Sequence, residues 1–126
     1  MEASEMVLDD IKRFLTKGDN FLVSSHMNPD GDAVGSVLVF SQILEKFGKN
    51  YRIVVQDPPP EKFSFLSNFD KIILYSPDVL GDFEVKNLIA LDCSNLERIG
   101  EVCKLVPPGA PILNIDHHAD NNLFGA

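Results

Sequence analysis

Apolar residues along the chain fall into two rhythms. Between residues 4 and 17, Val7, Ile11, Phe14 and Leu15 recur at helical spacing and Gly18 follows as a stop, which predicts a first helix. Phe21 to Ser25 is a short apolar run ending in small polar residues, as a buried strand would. HMNPDGD at 26–32 is loop-like in its proline, glycine and asparagine. Asp32 then opens AVGSVLVFSQILEKF, a second helix closed by Gly48. Further strands are predicted at Tyr51 to Val55, Ile72 to Tyr75, Leu88 to Leu91 and Ile112 to Ile115, with the prolines at 58–60 ending the first of these. Ser94 is placed to cap a short helix over 95–102, with Glu97 completing a capping box. Short apolar strands alternating with helices indicate an α/β domain. The expectation is a mostly parallel sheet of about five strands with helices on both faces, because the strands are continuous apolar runs.

Polar residues then single out one region. Three strands end in bursts of ionisable groups: FLVSSH into MNPDGD, LIALD into CSN, and ILNID into HH. Ligands of open parallel sheets bind at the carboxyl ends of strands near the switch point. The three bursts are therefore expected to converge on one crevice.

Composition adds limits. With 126 residues the chain is one domain, long enough to bury roughly two-thirds of its unfolded surface. No apolar run approaches the roughly 18 residues of a membrane span, so no membrane partner is expected. The start is acidic (Glu2, Glu5, Asp9, Asp10), unlike a signal peptide. Cys93 and Cys103 fit no zinc or redox spacing and read as reduced thiols of a cytoplasmic protein. A net charge of −8 opposes duplex DNA binding.

Taken singly, each burst has a plainer explanation. Asp30 and Asp32 flank Gly31 as in an ordinary Pro-Asp-Gly turn, Asp92 is placed to cap the helix after it, and His26 suits a hydrogen-bonded loop. Together they resist that explanation. All three histidines of the chain and four aspartates lie in these bursts, with no lysine or arginine among them. Carboxylates crowded in one crevice repel one another, and divalent cations are their natural partner. Mixed carboxylate and imidazole ligands suit Mn²⁺, Mg²⁺, Co²⁺ or Zn²⁺, and the lack of cysteine ligands argues against structural zinc. The number of ligands points to two ions sharing a carboxylate, an arrangement that clamps a phosphoryl group and activates water.

HMNPDGDAVGS at 26–36, Asp92 at its strand end, and Asp116-His117-His118 followed by Phe124-Gly125 resemble the first three motifs of the DHH-family phosphoesterases. That family includes RecJ exonucleases, oligoribonucleases of the nanoRNase A type, cyclic-dinucleotide phosphodiesterases and family II pyrophosphatases. The motif wording and the short N-terminal helix look most like the oligoribonuclease and 3′-phosphoadenosine-5′-phosphate phosphatase group. The resemblance implies two Mn²⁺ ions, with Mg²⁺ or Co²⁺ as substitutes. His26 and Asp30 would hold one ion, Asp32 and His117 the other, and Asp92 would bridge them. Asp116 would orient its neighbours, His118 would face the substrate phosphate, and Asn28 would help shape the pocket. The substrate would be a short RNA or a nucleotide phosphate, and the full-length protein is expected to form a homodimer.

Family members carry a further metal-binding aspartate and a second, substrate-binding domain beyond the Asp-His-His triplet. Ala126 ends this chain before either, so it is expected to be an incomplete DHH domain that binds metal weakly and turns over little alone. Within the class, a cyclic-dinucleotide phosphodiesterase and an inorganic pyrophosphatase are the alternatives. Outside it, the alternatives are a non-catalytic metal- or nucleotide-binding module and a phosphate-accepting receiver domain, although the latter needs no histidines at strand ends.

Overall fold

A computed structural model describes residues 3–116 of the chain. Five strands, β1 (Phe21–Ser25), β2 (Tyr51–Val55), β3 (Ile72–Leu74), β4 (Asn87–Leu91) and β5 (Ile112–Ile115), form one sheet in the order β3-β2-β1-β4-β5. Every neighbouring pair is parallel. The sheet is thus the expected one, wholly rather than mostly parallel among the described residues. Its central strands, β1 and β4, are buried at all five positions, which explains why they read as unbroken apolar runs rather than alternating ones.

Side chains of a strand point alternately to its two faces, so each strand serves two cores. On one face Phe21, Val23, Ile53, Ile89 and Leu91 pack with Leu15 of α1 (Ala3–Lys17) and with Val34, Val37 and Leu44 of α2 (Gly31–Lys46). On the other face Leu22, Val54, Leu88 and Ala90 pack with Ile99 and Val102. Both faces carry helix, but of different kinds. The second face is covered by a kinked 3₁₀ segment, Leu96–Leu105, where the sequence predicts a short helix capped by Ser94. Its cap is instead Asn95, whose side chain accepts from the Arg98 amide at 3.2 Å. Gly100, at φ 72° and ψ −143°, breaks the segment in two.

Among the described residues no helix is long and apolar enough to cross a membrane. β2 and β4 flank β1 on opposite sides, so the strand order reverses between β1 and β4. The carboxyl ends of these two strands therefore stand side by side at the switch point, where a crevice opens in folds of this kind.

Candidate metal centre

Strand register places the first three groups. Ser25 pairs with Leu91 and Leu91 with Ile115, giving one row across β1, β4 and β5. The next residues along these strands are His26, Asp92 and Asp116, so three bursts far apart in sequence emerge on adjacent strands roughly 4.8 Å apart.

His26 is buried, and its ring is fixed by its own loop. Nδ1 lies 2.6 Å from the Met27 carbonyl oxygen. A carbonyl can only accept, so Nδ1 carries the proton and Nε2 is left to face the crevice. Nε2 is 3.4 Å from Asp92 Oδ2 and 3.7 Å from Asp30 Oδ1. One ligand atom from each of His26, Asp30 and Asp92 lies within 4.8 Å of the others. A neutral imidazole would turn a lone pair toward two carboxylates. A divalent cation among the three groups resolves that repulsion, and a histidine held through its other nitrogen is the usual form of such a ligand. The donor set thus fits a divalent ion.

Each carboxylate owes its place to local backbone. Asp30 is the N-cap of α2 and accepts from the Ala33 amide at 3.0 Å, so the helix begins one residue earlier than the pattern predicts. The Ala33 amide holds the Asp30 carboxyl below its usual range; burial opposes this shift, and a positive charge on the neighbouring His26 would assist it. Capping α2 leaves Asp30 able to ligate an ion as well, since a carboxylate has lone pairs for more than one partner. Asp92 is 7% exposed and adopts φ 54°, a left-handed backbone uncommon outside glycine. Its amide donates to the Ile115 carbonyl at 2.9 Å. The Asn114 side-chain amide donates to the carbonyls of Ala90 at 3.0 Å and Cys93 at 3.2 Å, on either side of Asp92.

A cleft of about 430 Å³ adjoins this group, lined by Asp32, Ser36, Asp92, Ile115 and Asp116. Asp92 belongs to both the His26–Asp30 group and this second set. The Cys93 thiol beside them is pushed up to about 12 by burial, with Asp116 and then Asp92 adding to the shift, which favours the protonated thiol. A larger, mostly apolar groove of about 790 Å³ runs between α1 and β5 and reaches Asp116 at one end.

The structure therefore brings His26, Asp30 and Asp92 together, and sets Asp32 and Asp116 on an adjoining cleft. His117 and His118 lie outside the described residues. Asn28 is exposed at φ 54°, and its amide donates to Asp57 Oδ2 at 2.9 Å, so its visible part is in the shape of the loop. Sequence reasoning passed over Asp57 and Asn114. Their only signal is position, Asp57 just past β2 and Asn114 two residues before Asp116.

The chain belongs to the DHH family, matching the model of its N-terminal domain over residues 20–125. It is 36% identical over 103 residues to the bifunctional oligoribonuclease and PAP phosphatase NrnA of Thermus thermophilus, covering 82% of this chain and 29% of that protein. To the protein of the same name from Bacillus subtilis it is 28% identical over 113 residues, covering 90% of this chain and 34% of the relative. The fold is also that of a crystal structure of an exopolyphosphatase-related protein from Bacteroides fragilis, with a TM-score of 0.78 and 27% identity over 91% of this chain and 35% of that one. The chain thus spans about a third of the length of the relatives it matches.

Proposed function

We propose that this chain carries the metal centre of a phosphoesterase acting on short oligoribonucleotides and on 3′-phosphoadenosine-5′-phosphate. The observation that carries the reading is the His26 ring, locked through Nδ1 so that Nε2 faces Asp30 and Asp92. His26, Asp30 and Asp92 would hold one divalent ion. Asp32 and His117 would hold a second, with Asp92 shared, and Mn²⁺ is the ion proposed. Such ions polarise a phosphoryl oxygen and lower the pKa of a bound water toward neutrality. The chain's own contribution is orientation. The Met27 carbonyl fixes the His26 tautomer, the start of α2 fixes Asp30, and the end of β4 presents Asp92 from a buried, preformed turn. Asp116, next to the second set, is assigned to orienting its neighbours, and His118 and Asn28 to the substrate side. The substrate class is taken from the names of the NrnA relatives.

Calorimetric titration of the 126-residue chain with Mn²⁺ tests the centre. His26→Ala should weaken binding by at least roughly tenfold, and unchanged binding would refute the assignment. The substrate is tested on the full-length protein with 5′-phosphorylated dinucleotides, 3′-phosphoadenosine-5′-phosphate and inorganic pyrophosphate in the presence of Mn²⁺. Release of mononucleotides that Asp92→Asn abolishes is the expected result. Hydrolysis of pyrophosphate with dinucleotides untouched would assign the chain to inorganic phosphoanhydrides instead.

A further inference from the structure

The loop carrying Asp30 is held from two sides. The Met27 amide donates to the Arg98 carbonyl at 2.6 Å, and the Asn28 amide donates to Asp57 Oδ2 at 2.9 Å. Asp57 stands two residues past β2, beside Gln56. Gln56 Oε1 in turn accepts from the Glu101 amide at 2.7 Å. These contacts close a ring. The end of β2 grips the 3₁₀ segment through Gln56, that segment holds Met27, and Asp57 returns to Asn28. Asp57 is the member of this ring that reaches the loop through a side chain.

We propose that Asp57 is a positioning residue of the metal loop, its carboxylate anchoring the Asn28 amide and with it the left-handed turn that delivers Asp30 opposite His26 and Asp92. The inference rests on the metal reading above. A positive φ at a residue other than glycine carries a cost, smaller for asparagine than for most, that its surroundings must offset. Asn28 is exposed while Pro29 after it is buried, so the hydrogen bond to Asp57 is a restraint that acts on Asn28 itself. If the amide is released, the backbone at Asn28 loses a restraint on its positive φ, and Asp30 keeps only its cap bond to Ala33 to aim it at His26 and Asp92. His26 and Asp92 are buried on the sheet and stay where they are. The loss would therefore fall on Asp30, the most exposed of the three ligands, with a side chain 64% accessible. Asp57 itself is not one of the residues whose ligand atoms group together. Its negative charge is therefore incidental, and an uncharged acceptor of the same shape should serve.

The test is Mn²⁺ calorimetry of the 126-residue chain and its Asp57→Ala and Asp57→Asn variants, each with a urea unfolding curve. Asp57→Ala should bind Mn²⁺ roughly tenfold to a hundredfold more weakly. Asp57→Asn should bind like the unsubstituted chain, and both unfolding midpoints should hold. Undiminished binding by Asp57→Ala overturns the proposal. So does an Asn variant as weak as the Ala variant, which would mean that charge rather than anchoring is at work. A fall in affinity matched by a fall in the unfolding midpoint would reduce Asp57 to general stability and overturn it as well. If the unsubstituted chain binds no Mn²⁺, the metal centre itself fails, and the anchor with it.

Discussion

Asn114 lets Asp92 keep a left-handed backbone at the end of β4 without being glycine. Its Ala90 and Cys93 partners are carbonyl oxygens, so the group facing them must be the donor end of the amide. Two neutral hydrogen bonds of this kind are worth about 1 kcal/mol each. We expect Asn114→Ala to lower stability to urea by roughly 1–3 kcal/mol. Asn114→Asp should be worse, because it turns an acceptor toward two acceptors. Equal stability of the Ala and Asp variants would show that the amide is not what holds this turn. The grouping of His26, Asp30 and Asp92 was legible in the sequence because ionisable groups at strand ends are conspicuous. Asn114 and Asp57 were not, because they act on backbone groups whose positions no spacing reveals.

Among the elements, the 3₁₀ segment Leu96–Leu105 is where pattern and structure part. Its apolar spacing suits one short helix, but Gly100 sits at φ 72° with Gln56 pressed against it. A Cβ at Gly100 would lie 2.8 Å from Gln56 Oε1, the atom that accepts from Glu101. Gly100→Ala should therefore cost about 1–3 kcal/mol in backbone strain, with loss of that hydrogen bond in addition. Gly35, in the middle of α2, is the counterpart. Nothing lies within 4 Å of a Cβ built there, so Gly35→Ala should stabilise by roughly 0.5–1 kcal/mol. Urea unfolding of the two variants checks both signs. The strands and α2 were legible because their apolar runs are bounded by glycine, proline and asparagine. The 3₁₀ segment was not, because a glycine within helical spacing does not say which backbone it will take.

Across the whole molecule, the sheet edge opposite the site is stapled by Asp19. Its Oδ1 accepts from the amides of Asn20 and Asn50, each at 2.8 Å, and its carbonyl accepts from the Asn87 side chain at 2.7 Å. The staple thus joins the starts of β1, β2 and β4. The Asn50 amide, then the Asn20 amide, holds the Asp19 carboxyl below its usual 3.8. A depressed carboxyl adds stability above its unfolded pKa and loses it as pH falls through the folded value. Asp19→Ala should therefore be less stable than the unsubstituted chain near neutrality, and the gap should shrink as pH falls below 3.8. Unfolding midpoints measured from neutral to acid pH check this, and a gap independent of pH would contradict it. At this scale the α/β class and parallel pairing were legible. The order β3-β2-β1-β4-β5 was not, because which strands become neighbours depends on crossovers that a linear pattern does not encode.

That order also has a consequence in time. β1 and β4 are neighbours at the centre of the sheet, yet residues 26–86 separate them along the chain. Closing so long a loop is an entropic debt incurred before any of its contacts form, and such distant pairings are slow to form. His26 emerges from synthesis well before Asp92. During translation His26 and Asp30 must wait for Asp92 until β4 has been made. Capture of the divalent ion proposed for these groups would then follow the docking of β4 on β1.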